Sequence, residues 1–182
     1  RFTAWQSLHP HEMAAWRQRL QMGQHPYAIV VGCADSRVPI ELLFDAGFGD
    51  LFVIRVAGNI AAPDVIASVE YAIDHLSNKL VLVLGHENCG AVSAALAAPA
   101  ITLGEPPELR GLLSQIRPGL GGVTLQLAPR ERVAGAVEAN VKNSVHRLRN
   151  VPSIQLAIKN SGVSVVGGVY SLTSGKVDFF EP

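Results

Sequence analysis

The chain has 182 residues, 48% hydrophobic and 16% charged, with 15 Lys+Arg balanced by 15 Asp+Glu. That length supports one domain with a sizeable core spanning residues 1–182, and the neutral balance speaks against nucleic acid or an anionic membrane surface as partner. No apolar run reaches the roughly 18 residues of a membrane span, and so low a charge content points to apolar surface buried between copies of the chain.

Residues 1–22 read as an amphipathic helical arm carrying Trp5, Leu8, Met13, Trp16 and Leu20, with no partner inside the segment. Strand-like runs follow at 28–31, 51–56, 80–84 and 163–170, each short, rich in β-branched residues and closed by a Gly or polar cluster. Near-continuous apolar runs of this kind suit parallel strands covered on both faces. Between them lie helical patterns. One starts at Pro63, a good first-turn residue, and runs to Leu76; an Ala-rich one follows Gly90 as far as Ala98. The longest spans 129–149, with Val133, Val137, Val141, Val145 and Leu148 on one stripe and a basic end that complements the helix dipole. Another restarts at 150–152 and stops near Gly162. Residues 99–129 hold five prolines and five glycines, which makes a loop-rich insertion around one short helix. After Tyr170, Thr173-Ser174-Gly175 turns the chain into a last strand at 176–180, an antiparallel edge. The whole reads as an α/β fold, with a central four-stranded parallel sheet extended by that edge strand and flanked by helices.

Two motifs carry the chemistry. The first is Cys33-Ala-Asp35-Ser-Arg37 and the second His86-Glu-Asn-Cys89-Gly90, and they contain the only two cysteines. Both fall at the C-terminal ends of predicted strands, where open α/β sheets bind ligands. Thiolates with imidazole suit Zn²⁺, and three protein ligands leave a fourth position for water, the pattern of a catalytic site. Two thiolates and a neutral His make the zinc a weaker Lewis acid than three His would, so its water needs help to ionise. Asp35, two residues from Cys33 along an extended segment, points to the same side, and Arg37 can hold it by a bidentate pair.

These motifs resemble those of the β-class carbonic anhydrases. The resemblance runs from about Phe2 to Phe180, through Cys-Ala-Asp-Ser-Arg-Val-Pro, Gly-His-Glu-Asn-Cys-Gly-Ala, Phe44-Asp45-Ala-Gly-Phe-Gly-Asp50, Val53-Ile-Arg-Val-Ala-Gly-Asn59 and Glu70-Tyr71-Ala72. It implies zinc held by Cys33, His86 and Cys89, an Asp35–Arg37 catalytic dyad, and reversible hydration of CO₂ to bicarbonate. It implies a homodimer or higher homo-oligomer, with the 1–22 arm wrapped on a neighbour. It further implies substrate-binding roles for Gln24 (serving the neighbouring copy), Phe52, Tyr71 and the Gly90 amide. Some family members close the site by moving the Asp onto zinc as a fourth ligand; Gln24 and Val30 lean toward the open type.

Plainer roles are expected elsewhere. Gln24 could fill a dimer interface, and Phe52 and Tyr71 could be core aromatics. Glu87 and Asn88 are expected to face solvent, and Arg55 and Asn59 to brace the strand end and its loop. His9, His11, His25, His75 and His146 read as surface or interface residues. Hydrolysis of COS or CS₂, a non-catalytic zinc protein sensing bicarbonate, and a cysteine-nucleophile enzyme are the competing readings. Cytoplasmic location is the default, with export left open because Arg1 stands where an initiator Met would.

Overall fold

The computed structural model describes residues 14–97, 101–123, 126 and 128–180. Its centre is a five-stranded sheet of β1 (Ala28–Gly32), β2 (Leu51–Arg55), β3 (Leu80–His86), β4 (Ser164–Tyr170) and β5 (Val177–Phe180), in the order β2-β1-β3-β4-β5. The first four are parallel and β5 pairs antiparallel with β4. The helices are α1 (Ala14–Leu20), α2 (Ile40–Leu43), α3 (Pro63–Leu76), α4 (Gly90–Leu96), α5 (Pro107–Ile116), α6 (Pro129–Arg149) and α7 (Pro152–Ser161).

Alternation along the strands divides the core. Ile29, Val31, Val81, Val83 and Val165 point to one face, against Val65 and Val69 of α3, Val141, Val145 and Leu148 of α6 and Ile154 of α7. Val30, Leu82 and Leu84 point to the other, where Val38, Ile40 and Phe44 cover them. At β1 and β3 both faces are covered, which explains why those strands read as unbroken apolar runs. A third cluster (Ile60, Val92, Ala95, Leu113, Ile116, Ala136 and Val137) gathers around Cys33 and Cys89 at the C-terminal ends of β1 and β3.

α6 runs over the expected 129–149, from Pro129 in its first turn to His146, Arg147 and Arg149 in its last. Its buried stripe also takes in two polar residues, Asn140 and Ser144. Gly85, just before His86, has no room for a side chain, since a Cβ there would lie 2.5 Å from Val141 Cγ2. The close approach of α6 to β3 is thus made at Gly85, one residue before His86. The β4–β5 turn closes with the Ser171 amide donating to Lys176 O (2.8 Å), and Gly175 takes a φ of +72°.

The structure departs from the sequence expectations in small ways. The helix after Gly90 ends at Leu96, two residues short of Ala98. α2, four residues after Pro39, was not foreseen, because so short a helix shows no periodicity. The insertion contains α5 and two 3₁₀ turns, Ile101–Gly104 and Arg117–Leu120. Of the 1–22 arm only Ala14–Leu20 is described as helix, and residues 1–13 lie outside the described residues. No helix among the described residues is long and apolar enough to cross a membrane.

Candidate metal centre

Strand pairing alone brings the two motifs together. β1 lies beside β3 with Gly32 level with Leu84, so Cys33 and His86 emerge side by side at the same sheet edge. Cys89 follows as the residue preceding α4. All three side chains are buried, and their ligand atoms lie within 4.8 Å of one another.

The donor set suits a tetrahedral zinc ion. The two sulfurs are 3.9 Å apart; thiolates bound to one tetrahedral zinc at ~2.3 Å stand about 3.8 Å apart. His86 Nδ1 is 3.0 Å from the Glu87 carbonyl oxygen, which can only accept, so Nδ1 carries the hydrogen and Nε2 keeps its lone pair. That Nε2 is fully buried with no protein partner, an arrangement that costs free energy unless something else occupies its lone pair.

Electrostatics separate the thiols. Cys33 is held as thiolate, foremost by the Cys89 S–H and also by the Gly58 amide 3.3 Å away, against the opposing effect of burial. Cys89 is pushed up, first by its hydrogen bond to that thiolate and then by burial. A metal cation would take the place of the Cys89 proton.

Asp35 and Arg37 stand at the mouth. Arg37 donates to Asp35 through Nε (2.9 Å to Oδ1), NH2 (2.7 Å to Oδ2) and its backbone amide (2.9 Å to Oδ1). These bonds hold the Asp35 carboxyl well below the usual carboxylate range. Asp35 Oδ2 sits 3.7 Å from His86 Nε2, at the edge of the ligand cluster. The same Arg37 NH2 reaches the Asn88 carbonyl at 3.2 Å and so links the two motifs. Arg55, as expected, braces the first motif, donating to the carbonyls of Cys33 (2.9 Å) and Asp35 (2.7 Å).

The chain matches the family model described as carbonic anhydrase over residues 28–177. The chain belongs to the β-carbonic anhydrase family. It is 37% identical over 181 residues to a carbonic anhydrase of Mycolicibacterium smegmatis, covering 98% of this chain and 86% of that one. It is 36% identical to carbonic anhydrase 2 of Mycobacterium tuberculosis, covering 97% and 84%. Among solved structures it superposes on a β-carbonic anhydrase of Coccomyxa with a TM-score of 0.87 at 30% identity, covering 98% and 82%. A tetrameric β-carbonic anhydrase of Sordaria macrospora gives 0.84 at 28% identity, covering 99% and 93%. The family is one of metalloenzymes, and the buried Cys33–His86–Cys89 cluster is a group in this member that could hold a metal ion.

Of the other expected residues, Gln24, Phe52 and Tyr71 lie apart from that site within one chain, whereas Gly90 adjoins Cys89. Gln24 is exposed and precedes β1, whereas Cys33 follows it, so the strand separates them. Phe52 pairs with Ile29, toward the other end of β1, and packs 6.2 Å from the half-exposed Tyr71 ring. Tyr71 in turn lies 4.9 Å from His75. Gly90 is exposed with open space where a side chain would be.

One expectation is corrected. Glu87 does not face solvent freely: Arg130, Thr173 and Ser171 surround its carboxylate, while Asn88 is exposed as expected. The Arg130 hydrogen bond, then those from Thr173, pull the Glu87 carboxyl down to about 2. Asn140 was also missed. Wholly buried in α6, it donates to the Gly58 carbonyl at 2.7 Å, and Gly58 donates to Cys33 Sγ.

Proposed function

We propose that this chain is a zinc-dependent carbonic anhydrase that interconverts CO₂ and bicarbonate. The observation that carries the reading is the convergence of three buried soft and imidazole donors, one with an unpartnered lone pair, beside an ion-paired Asp35. Cys33, His86 and Cys89 would hold the zinc, which when bound supplies the Lewis acidity that lets water ionise near neutral pH. Asp35 stays ionised across any working pH, so it can accept a hydrogen bond and never donate one. It accepts the hydrogen of the attacking oxygen and turns that oxygen's lone pair toward the carbon of CO₂. Arg37 occupies both carboxylate oxygens and keeps Asp35 from moving onto the metal, which is the open arrangement. The Gly90 amide, at the start of α4 next to Cys89, would donate to a substrate oxygen.

The remaining substrate contacts are assigned across an interface. Gln24, Phe52 and Tyr71 lie away from their own chain's metal centre, so each would serve the site of a neighbouring copy. Tyr27, Leu80, Tyr71 and Phe179 are exposed large hydrophobics that a homodimer or higher homo-oligomer would cover. The tetramer of the Sordaria relative supports this assembly.

Stopped-flow hydration of CO₂ by the zinc-loaded protein tests the reading. Fast turnover is expected in the wild type, falling by roughly 10²–10⁴-fold in Asp35→Asn with zinc content unchanged. An absence of hydration from mildly acidic to mildly alkaline pH, with zinc confirmed by metal analysis, would overturn it.

A further inference from the structure

Glu87 directly follows the metal-ligating His86, and its side chain ties three distant parts of the chain together. Oε1 takes hydrogen bonds from Arg130 NH2 at the start of α6 (3.0 Å) and from Thr173 Oγ1 (3.2 Å). Oε2 takes them from the Thr173 backbone amide (3.1 Å), Thr173 Oγ1 (2.9 Å) and Ser171 Oγ (3.3 Å) in the β4–β5 turn. Ser171 Oγ is itself fixed, since the Ser174 amide donates to it at 3.1 Å. The Glu87 amide donates to Tyr170 O at 2.8 Å and extends the β3–β4 ladder one step past His86.

With its amide and its side chain both held, Glu87 offers its carbonyl to His86 Nδ1 at 3.0 Å. That bond sets the tautomer that frees Nε2. Immediately afterwards Asn88 takes a φ of +56°, swinging the chain back to Cys89.

We infer that Glu87 is a positioning residue of the metal centre: by pinning the 86–89 turn to the β4–β5 hairpin, it aims His86 Nε2 at the metal. The inference rests on the reading of Cys33, His86 and Cys89 as zinc ligands. It differs from a surface ion pair, because Arg130 is 76% exposed and such pairs contribute little. Most of the donors to Glu87 are neutral and local to the hairpin.

The test uses the zinc-loaded protein with Glu87→Ala, Glu87→Gln, Thr173→Val and Arg130→Ala. Lys79→Ala, which loses a 2.7 Å bond to Ser161 O remote from the centre, serves as the stability control. Two quantities are read well below every variant's melting point: zinc transfer to an excess of chromophoric chelator, and the visible spectrum of the cobalt-substituted protein. Glu87→Ala is expected to release zinc about 10–100-fold faster, the range for lost outer partners of a ligand, with a changed cobalt spectrum. Glu87→Gln and Thr173→Val should move both readouts the same way by less. Arg130→Ala and Lys79→Ala should leave the release rate within about threefold of wild type.

If Glu87→Ala and Thr173→Val both stay within about twofold of wild type in rate, with unchanged cobalt spectra, the inference is wrong whatever their melting points. Should Glu87→Ala fail to fold, Thr173→Val decides alone. A wild type that holds no stoichiometric zinc would instead sink the underlying metal reading, and the inference with it.

Discussion

Gly58→Ala isolates how the metal centre is built. Gly58 holds φ +73° and ψ 19°, its amide donates to Cys33 Sγ, and its carbonyl receives Asn140. An alanine there meets two penalties. The left-handed conformation costs about 1–2 kcal/mol for a residue with a Cβ. That Cβ would also sit 2.7 Å from Ile116 Cδ1 and 3.4 Å from Ala91 Cβ. Ile116 is fully buried, so its tip can move only by disturbing the cluster around it, and overpacking of this kind costs about 1–3 kcal/mol. Together they predict a loss of about 2–5 kcal/mol, or roughly 4–20 °C in melting temperature for a chain of this size. Urea unfolding of the zinc-loaded protein measures the loss. Ile116→Val then separates the causes, because it removes the methyl that collides. Ile116→Val alone should cost about 0.5–1.5 kcal/mol, yet in the double variant it should return about 1 kcal/mol or more of coupling. Additivity within about 0.5 kcal/mol would refute the collision. A Gly58→Ala variant as stable as wild type would refute the conformational argument as well.

Two further outcomes follow from the charged groups. Arg37→Ala removes both guanidinium hydrogen bonds on Asp35 and leaves only the one from the residue 37 backbone amide, and Asp35 Oδ2 already lies 3.7 Å from His86 Nε2. X-ray absorption should then show an added oxygen ligand on zinc with hydration lost; unchanged coordination and turnover would contradict the role given to Arg37. Glu87 has its folded pKa lowered from 4.5 to about 2, so its contribution to stability is complete above 4.5 and disappears as the pH falls toward 2. The melting-point gap between wild type and Glu87→Gln, both in chelator, should therefore stay constant from about pH 8 to about pH 5.5 and shrink below that. A gap that widened on acidification would mean the carboxylate is not the group that matters.

What the sequence disclosed and what it hid have physical reasons. The central strands β1 and β3 were legible because burial on both faces makes them apolar throughout. α6 was legible to both ends because Pro129 opens it and basic residues close it. The Cys33–His86–Cys89 cluster was legible because metal chemistry favours those residue types and a strand end fixes their place. Glu87 was not, because its partners lie 43 to 86 positions away and meet it only through strand pairing. Once His86 is known to stand level with Tyr170, the hydroxyls of Ser171 and Thr173 become the obvious donors. Asn140 left a clearer trace. It occupies the i+3 position from Val137, inside the apolar stripe, where an unpaired amide would cost more than the helix gains there. A polar side chain in such a place must hold something, and here it holds the Gly58 turn whose amide faces the Cys33 sulfur. The orphaned Nε2 of His86 stands out from other unpartnered buried atoms because the sulfurs of Cys33 and Cys89 lie within 4.8 Å of it, where one metal ion could satisfy all three. Both residues were visible as exceptions to an apolar pattern, and in both the exception leads to the metal centre.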